Sequence, residues 1–283
     1  MMTLFSYYKL TVKKLIEAGK DNPEGEARLI FQNILNIKRE DFILNKDMPI
    51  TPDKCLEIDQ VVEQRMDGKP LSKIFGRTEF CGLPIFVTED TLDPRLDSEI
   101  LIQSVFEHFP HAERDLKILD IGTGTGCLAI ALLNHYKNAQ AMAVDIADKA
   151  LKIAKKNAAG NNVLSRLELQ KISWNDLTEL STSFDIIISN PPYIDIADVK
   201  DMDVEVTEHD PHLALFADKK GLKPYIEMSN ILPAVLKKDG YVFFEIGCEQ
   251  ADAVCEIYRD IFSFLKLEKD FAGLDRCLVF KNK

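Results

Sequence analysis

Lys117-Ile118-Leu119-Asp120-Ile121-Gly122-Thr123-Gly124-Thr125-Gly126 carries an apolar run straight into three glycines at alternate positions, and Leu128 to Leu133 resumes the apolar run. The first five residues fit a strand covered on both faces, the glycines permit a tight turn that a ligand can approach closely, and the resumed run fits a helix. The same grammar follows at once. Ala141-Met142-Ala143-Val144-Asp145 predicts a second strand, and a helix opening near Asp148 carries Ala150, Leu151, Ile153 and Ala154. Further strands are predicted at 167–169, 184–189 and 241–246, with helices near 225–236 and 252–262. Phe264 to Leu267 and Cys277 to Phe280 supply a closing antiparallel pair. Strands alternating with helices predict an α/β, Rossmann-like domain on a mostly parallel seven-stranded sheet.

In such a sheet the turn after the first strand and the acidic end of the second face one crevice. Asp145 there can accept hydrogen bonds from both hydroxyls of a ribose. A dinucleotide fingerprint spaces its glycines as Gly-x-Gly-x-x-Gly, whereas here they stand at 122, 124 and 126 with a carboxylate at Asp120. A pyrophosphate gains little from that carboxylate, while a sulfonium with an amino-acid tail gains more, so the pattern favours S-adenosylmethionine and methyl transfer over NAD. No Gly-x-x-x-x-Gly-Lys-[Ser/Thr] loop is present, which removes the common ATP and GTP hydrolases. The candidate cofactor residues are Asp120, Gly122, Thr123, Gly124, Gly126 and Asp145. Trp174, the only tryptophan, fits an adenine wall and a core position equally well, with Asn175 or Asp176 as weaker polar partners.

The predicted strand at 184–189 runs into Asn190-Pro191-Pro192-Tyr193, which would project into the same crevice. The Asn190 side-chain oxygen and the Pro191 carbonyl can accept the two N–H groups of a planar amide or exocyclic amine. Tyr193 offers a flat surface, and Pro192 helps stiffen the turn. Asn190, Pro191 and Tyr193 form the candidate catalytic set. Asn190 also borders the cofactor, and Asn190 through Tyr193 form the candidate acceptor site. An amide nitrogen is a weak nucleophile, so alignment with the methyl and stabilisation of developing positive charge must carry the reaction, with no metal required. Glu79, Asp93, Glu99, Glu208, His209 and Asp210 are weaker candidates for polar walls, and His209 reads as a surface or structural residue rather than a base.

Working outward, residues 1–75 predict a small all-helical domain. Turn starts are expected near Thr3, Thr11 or Asn22-Pro23, with apolar positions Leu29, Ile30, Ile34 and Leu35 and a stripe of Cys55, Ile58, Val61, Val62 and Met66 ending at Asp67-Gly68. Residues 76–97 read as a hairpin or extended linker, and 98–283 as the α/β domain. The 283 residues hold 35 Lys plus Arg against 46 Asp plus Glu, a net charge of −11, which argues against a strong grip on bare nucleic acid but leaves room for a local basic patch. Six scattered cysteines without a Cys-x-x-Cys pair read as reduced thiols and disfavour zinc. The opening Met1 to Phe5 has no basic segment followed by an apolar run, and no long uncharged apolar stretch occurs, so a cytoplasmic protein without membrane attachment is expected.

The chain resembles the N5-glutamine methyltransferases of peptide chain release factors. The resemblance spans nearly its whole length and rests on the helical leader, Gly76-Arg77-Thr78-Glu79-Phe80-Cys81-Gly82-Leu83, Asp120 to Gly126, and Asn190-Pro191-Pro192-Tyr193-Ile194. Asp210-Pro211-His212-Leu213-Ala214-Leu215 and Gly273-Leu274-Asp275-Arg276 add to it. It implies S-adenosylmethionine as donor, S-adenosylhomocysteine as product, and the glutamine of the Gly-Gly-Gln loop of class I release factors as acceptor. It further implies that Gly122, Gly124 and Asp145 contact the donor, that Asn190 and Pro191 orient the amide beside Tyr193, and that the helical leader recognises the release factor. One departure stands out: relatives commonly read Pro-Arg-Pro-Glu-Thr-Glu where this chain has Pro94-Arg95-Leu96-Asp97-Ser98-Glu99. Two other functions compete. An exocyclic-amine methyltransferase of nucleic acid fits the same clamp, and a non-catalytic S-adenosylmethionine-binding scaffold would keep the glycine turn with a disabled Asn190–Tyr193 loop.

Overall fold

The computed structural model describes residues 2–201 and 204–283, so Met1 of the opening segment lies outside it. The chain divides into two units, Met1–Gly76 and Arg77–Lys283. In the first, helices α1 (Leu4–Glu17), α2 (Pro23–Leu35), α3 (Asp41–Leu44), α4 (Pro52–Met66) and α5 (Leu71–Phe75) surround a core of Leu4, Leu15, Ile30, Phe31, Ile58 and Val62. Thr3 opens α1 with a reciprocal cap: its Oγ1 accepts from the Ser6 amide at 3.3 Å, and its own amide donates to Ser6 Oγ at 3.0 Å. Asn22 caps α2, ahead of Pro23, by accepting from the Gly25 amide at 3.1 Å.

Two expectations fail here. Thr11 starts no turn; it sits in mid-α1, buried. Leu29 is 51% exposed, because α2 turns Ala27, Ile30 and Phe31 inward and Leu29 falls on its outer flank.

The second unit opens with an antiparallel hairpin, β1 (Arg77–Phe80) and β2 (Leu83–Phe86), whose Phe80 and Ile85 join the core beneath α6 (Glu99–His108). Then come β3 (Lys117–Ile121), α7 (Cys127–His135), β4 (Gln140–Asp145), α8 (Asp148–Gly160), β5 (Leu167–Lys171) and β6 (Phe184–Ser189). A short segment follows: β7 (Ile194–Asp195), α9 (Val204–His209), α10 (His212–Leu215) and β8 (Phe216–Ala217), in which β7 and β8 pair in parallel. The chain ends with α11 (Lys223–Ser229), α12 (Leu232–Val235), β9 (Leu236–Glu245), α13 (Ala251–Tyr258), β10 (Phe262–Lys269) and β11 (Asp275–Asn282).

Seven strands form the predicted sheet in the order β10-β11-β9-β6-β3-β4-β5; β9 through β5 run parallel, and β11 is antiparallel to both its neighbours. Alternate side chains feed opposite cores: Ile118, Ile186, Ile188 and Phe243 pack on one face, Leu119, Ile121, Ile187 and Phe244 on the other. The helix expected at 225–236 is two, because Pro233 opens a new first turn at α12. The edge strand β10 carries two register shifts against β11, at Phe264/Lys266 and at Glu268/Lys269. Because the chain moves from β3 to β4 on one side and returns to β6 on the other, the carboxyl ends of β3, β4 and β6 enclose a crevice. Among the described residues no helix is long and apolar enough to cross a membrane.

Candidate active site

A cavity of about 430 Å³, within the usual range for small-ligand sites, opens at those strand ends. Gly122, Gly124, Asp145, Trp174, Asn190 and Pro192 line it together with apolar Ile146 and Ile172. The glycine turn is fixed by its own neighbours. The amides of Gly122 and Thr123 donate to the Val144 carbonyl at 2.9 and 3.0 Å, and the Gly124 amide donates to Asp145 Oδ2 at 2.9 Å. Gly124 has φ +53° and its missing Cβ points into open space, so a side chain there would be both strained and inside the ligand volume. The second Asp145 oxygen accepts from the Ala147 amide at 2.9 Å, which sets the carboxylate at the cavity wall.

Asp120, Thr123 and Gly126 lie beneath the cavity rather than in its lining. Asp120 is wholly buried; its Oδ2 accepts from Thr123 Oγ1 at 2.7 Å and from the Ala129 amide at 3.3 Å. Burial pushes its carboxyl up to about 7. This carboxylate shapes the turn from below. Gly126 lets α7 and α8 approach, since a Cβ there would meet Ala154 at 3.1 Å and Ile130 at 3.2 Å. Asn157, which sequence reasoning missed, donates to the Thr125 carbonyl at 2.9 Å and exchanges hydrogen bonds with the Phe86 backbone, tying the turn to the β1–β2 hairpin. Trp174 lines the cavity and donates Nε1–H to Glu227 Oε2 at 2.9 Å, which fixes the indole plane. Asn175 also lines the cavity, whereas Asp176 does not.

On the opposite wall, Asn190 donates Nδ2–H to Ser98 Oγ at 3.2 Å, leaving Oδ1 without a hydrogen bond among the described residues. Pro192 lines the cavity; Pro191 is buried outside the lining. Tyr193 points behind the loop, donating its hydroxyl to Glu245 Oε1 at 3.3 Å and accepting from Arg276 Nη1 at 3.4 Å. Burial, with the Glu245 charge beside it, raises the Tyr193 pKa. Gln250 donates Nε2–H to the carbonyls of Tyr193 and Lys220 at 2.9 and 3.0 Å. Gly221, at φ +74°, passes so close that any Cβ would overlap the Tyr193 carbonyl. Arg276 is clamped by Asp270 at 3.1 and 2.9 Å. Two of the weaker candidates are held by structural bonds: Glu99 Oε1 accepts from the Cys81 amide at 2.7 Å, and Asp210 pairs with Arg95 at 2.5 Å. Gly221, Glu245 and Gln250 had no sequence signal, because each acts by meeting a loop far away in the chain, and Ser98 stood out only as part of the divergent 94–99 stretch.

The donor set suits an adenosyl amino acid: a carboxylate beside a glycine turn whose missing side chains leave open space, a fixed indole, and aliphatic side chains. The chain as a whole matches known proteins. The family model for the PrmC N-terminal domain matches residues 7–76, and that for the Methyltransferase small domain matches residues 79–208. The chain is 37% identical to a release factor glutamine methyltransferase of Agrobacterium fabrum over 95% of its length and 94% of that protein. It is 36% identical to one of Flavobacterium psychrophilum over 97% and 98% of the two chains. A methyltransferase structure from Pyrococcus furiosus, 16% identical, shares the fold with a TM-score of 0.52 over 77% of this chain and 96% of its own.

Proposed function

This chain belongs to the release factor glutamine methyltransferase family and is a protein-glutamine methyltransferase; we propose that it draws the methyl from S-adenosylmethionine and places it on N5 of the glutamine in the Gly-Gly-Gln loop of class I peptide chain release factors, serving translation termination in the cytoplasm. One observation carries this reading: the glycine turn with Asp145 and the Asn190–Pro192 loop meet in a single cavity at the carboxyl ends of β3, β4 and β6.

When bound, S-adenosylmethionine supplies an electrophilic methyl on a positively charged sulfur. Gly122, Gly124, Asp145 and Trp174 would hold it, with Asp145 accepting from the ribose hydroxyls and the indole against the adenine. Asp120, Thr123 and Gly126 keep the turn in shape. Asn190 Oδ1 accepts one N–H of the acceptor amide and the Pro191 carbonyl the other, which holds the nitrogen in place and stabilises the positive charge it develops. Pro192 and Tyr193 hold that clamp rigid. The helical unit ending at Gly76 recognises the release factor, and no stable direct binding of nucleic acid is expected of a chain with net charge −11.

Incubation with labelled S-adenosylmethionine and a purified class I release factor, followed by peptide mass spectrometry, tests the reading. The expected product carries one methyl on the Gly-Gly-Gln glutamine. Preferential methylation of DNA or RNA, with a rate that falls steeply as salt rises, overturns it.

A further inference from the structure

An asparagine amide can sit in its site in two nearly isosteric orientations, and only one turns Oδ1 toward an incoming N–H donor. At Asn190 the choice depends on the Ser98 hydroxyl, which can donate or accept. Here it accepts from Nδ2 at 3.2 Å, and Ser98 is 2% exposed, so water does not arbitrate. Behind Ser98 stands Glu245, also buried, and the nearby Ser98 hydroxyl favours the charged form of its carboxyl. Glu245 Oε2 is buried without a hydrogen bond among the described residues at ordinary geometry, so the carboxylate has acceptor capacity to spare. An ionised carboxylate only accepts. Its unpartnered oxygen is therefore an acceptor on offer to the Ser98 O–H, an arrangement that leaves the Ser98 lone pairs facing the Asn190 amide.

Resting on the reading of the site given above, we infer that Glu245 is a positioning residue, whose carboxylate sets the direction of the Ser98 hydroxyl and thereby keeps Asn190 Oδ1 turned toward the acceptor amide. The same carboxylate is anchored at its other oxygen by the Tyr193 hydroxyl, and Tyr193 is in turn held by Arg276. One buried acid thus fixes both the first and the last residue of the Asn190–Tyr193 loop. The relay also has a direction that protonation reverses: a neutral Glu245 can donate to Ser98 and free that hydroxyl to donate to Asn190. Burial pushes the Glu245 carboxyl up to about 7. The groups facing it are Tyr193 from the loop, Arg276 and Cys277 from β11, Asp97 from the turn before α6 and Tyr225 from α11.

The test measures kcat for methylation of a full-length class I release factor, and the Kd for S-adenosylmethionine by calorimetry, in wild type, Ser98→Ala, Ser98→Thr and Glu245→Gln. The inference expects Ser98→Ala and Glu245→Gln to lower kcat on the order of 10- to 100-fold. The donor Kd should stay within about threefold in both, and Ser98→Thr, which keeps the hydroxyl, should recover most of the rate. In wild type, kcat should rise with pH through about 7 as Glu245 loses its proton, and Glu245→Gln should flatten that limb. Retention of kcat in both variants, an equal loss of donor affinity and rate, or a pH limb that survives in Glu245→Gln overturns the role of Glu245. A wild-type chain that binds the donor but leaves the release factor unmethylated overturns the reading of the site on which the inference rests.

Discussion

The two walls of the cavity are built by different means. The donor wall is made mostly locally: residues between Asp120 and Ala147 supply the turn, the carboxylate and the backbone bonds that join them, and only the Trp174 indole, held by Glu227, and the Asn157 tie to Phe86 reach further along the chain. The acceptor wall is made at a distance, with Asn190–Tyr193 held by Ser98 from before α6, Gly221 after β8, Glu245 at the end of β9, Gln250 before α13 and Arg276 on β11. A mostly local wall keeps its glycine turn and carboxylate once β3 and β4 have paired. A distributed wall exists only when the whole sheet is complete, so methyl transfer should be more fragile than donor binding.

Substitutions on either side can separate the two. The largest effect is expected for Asn190→Ala, with methyl transfer falling by about a thousandfold while calorimetric donor affinity stays within about threefold. A matched loss of affinity would merge the two walls. Gly221→Ala drives a methyl into the Tyr193 carbonyl, on the acceptor loop, and should cost on the order of 100-fold in kcat with circular dichroism and donor Kd nearly unchanged.

Asp145→Ala is the mirror experiment. Donor affinity should weaken by about 10- to 100-fold, while kcat at saturating donor changes much less; unchanged affinity would remove Asp145 from the donor wall. The smallest effect concerns Asp120. Its native pKa of about 7 lies above that of an unfolded carboxylate, so its contribution to stability is complete below about pH 4 and is lost as pH rises through 7. Urea midpoints at pH 5.5 and 8 should therefore differ less in Asp120→Asn than in wild type.

The same contrast explains what could be read in advance. The glycine turn, Asp145 and the seven strands announce themselves because alternation, period and turn residues are properties of neighbours in sequence. Asn190-Pro191-Pro192-Tyr193 was legible as a motif, yet nothing near it reveals that Tyr193 faces away from the cavity toward Glu245 and Arg276. Asp120 illustrates the converse. A carboxylate beside three glycines reads as a ligand contact, and only the fold shows it turned inward to Thr123 and Ala129. Thr11 and the single helix expected at 225–236 fail for a related reason: the packing of α1 admits a buried threonine, and the apolar run across 225–236 does not show that Pro233 sits in the first turn of a separate helix.

The outer strand of the sheet has a consequence beyond catalysis. β10 presents an unpaired row of backbone groups to solvent, the kind of edge that recruits strands from other molecules. Its two bulges against β11 break the regular spacing of that row, and Lys266, Glu268 and Lys269 would place charges in any sheet built across it. The enzyme's solubility at high concentration should therefore depend on these residues, and neutral replacements at Lys266 and Lys269 would expose a template for aggregation without touching the active site.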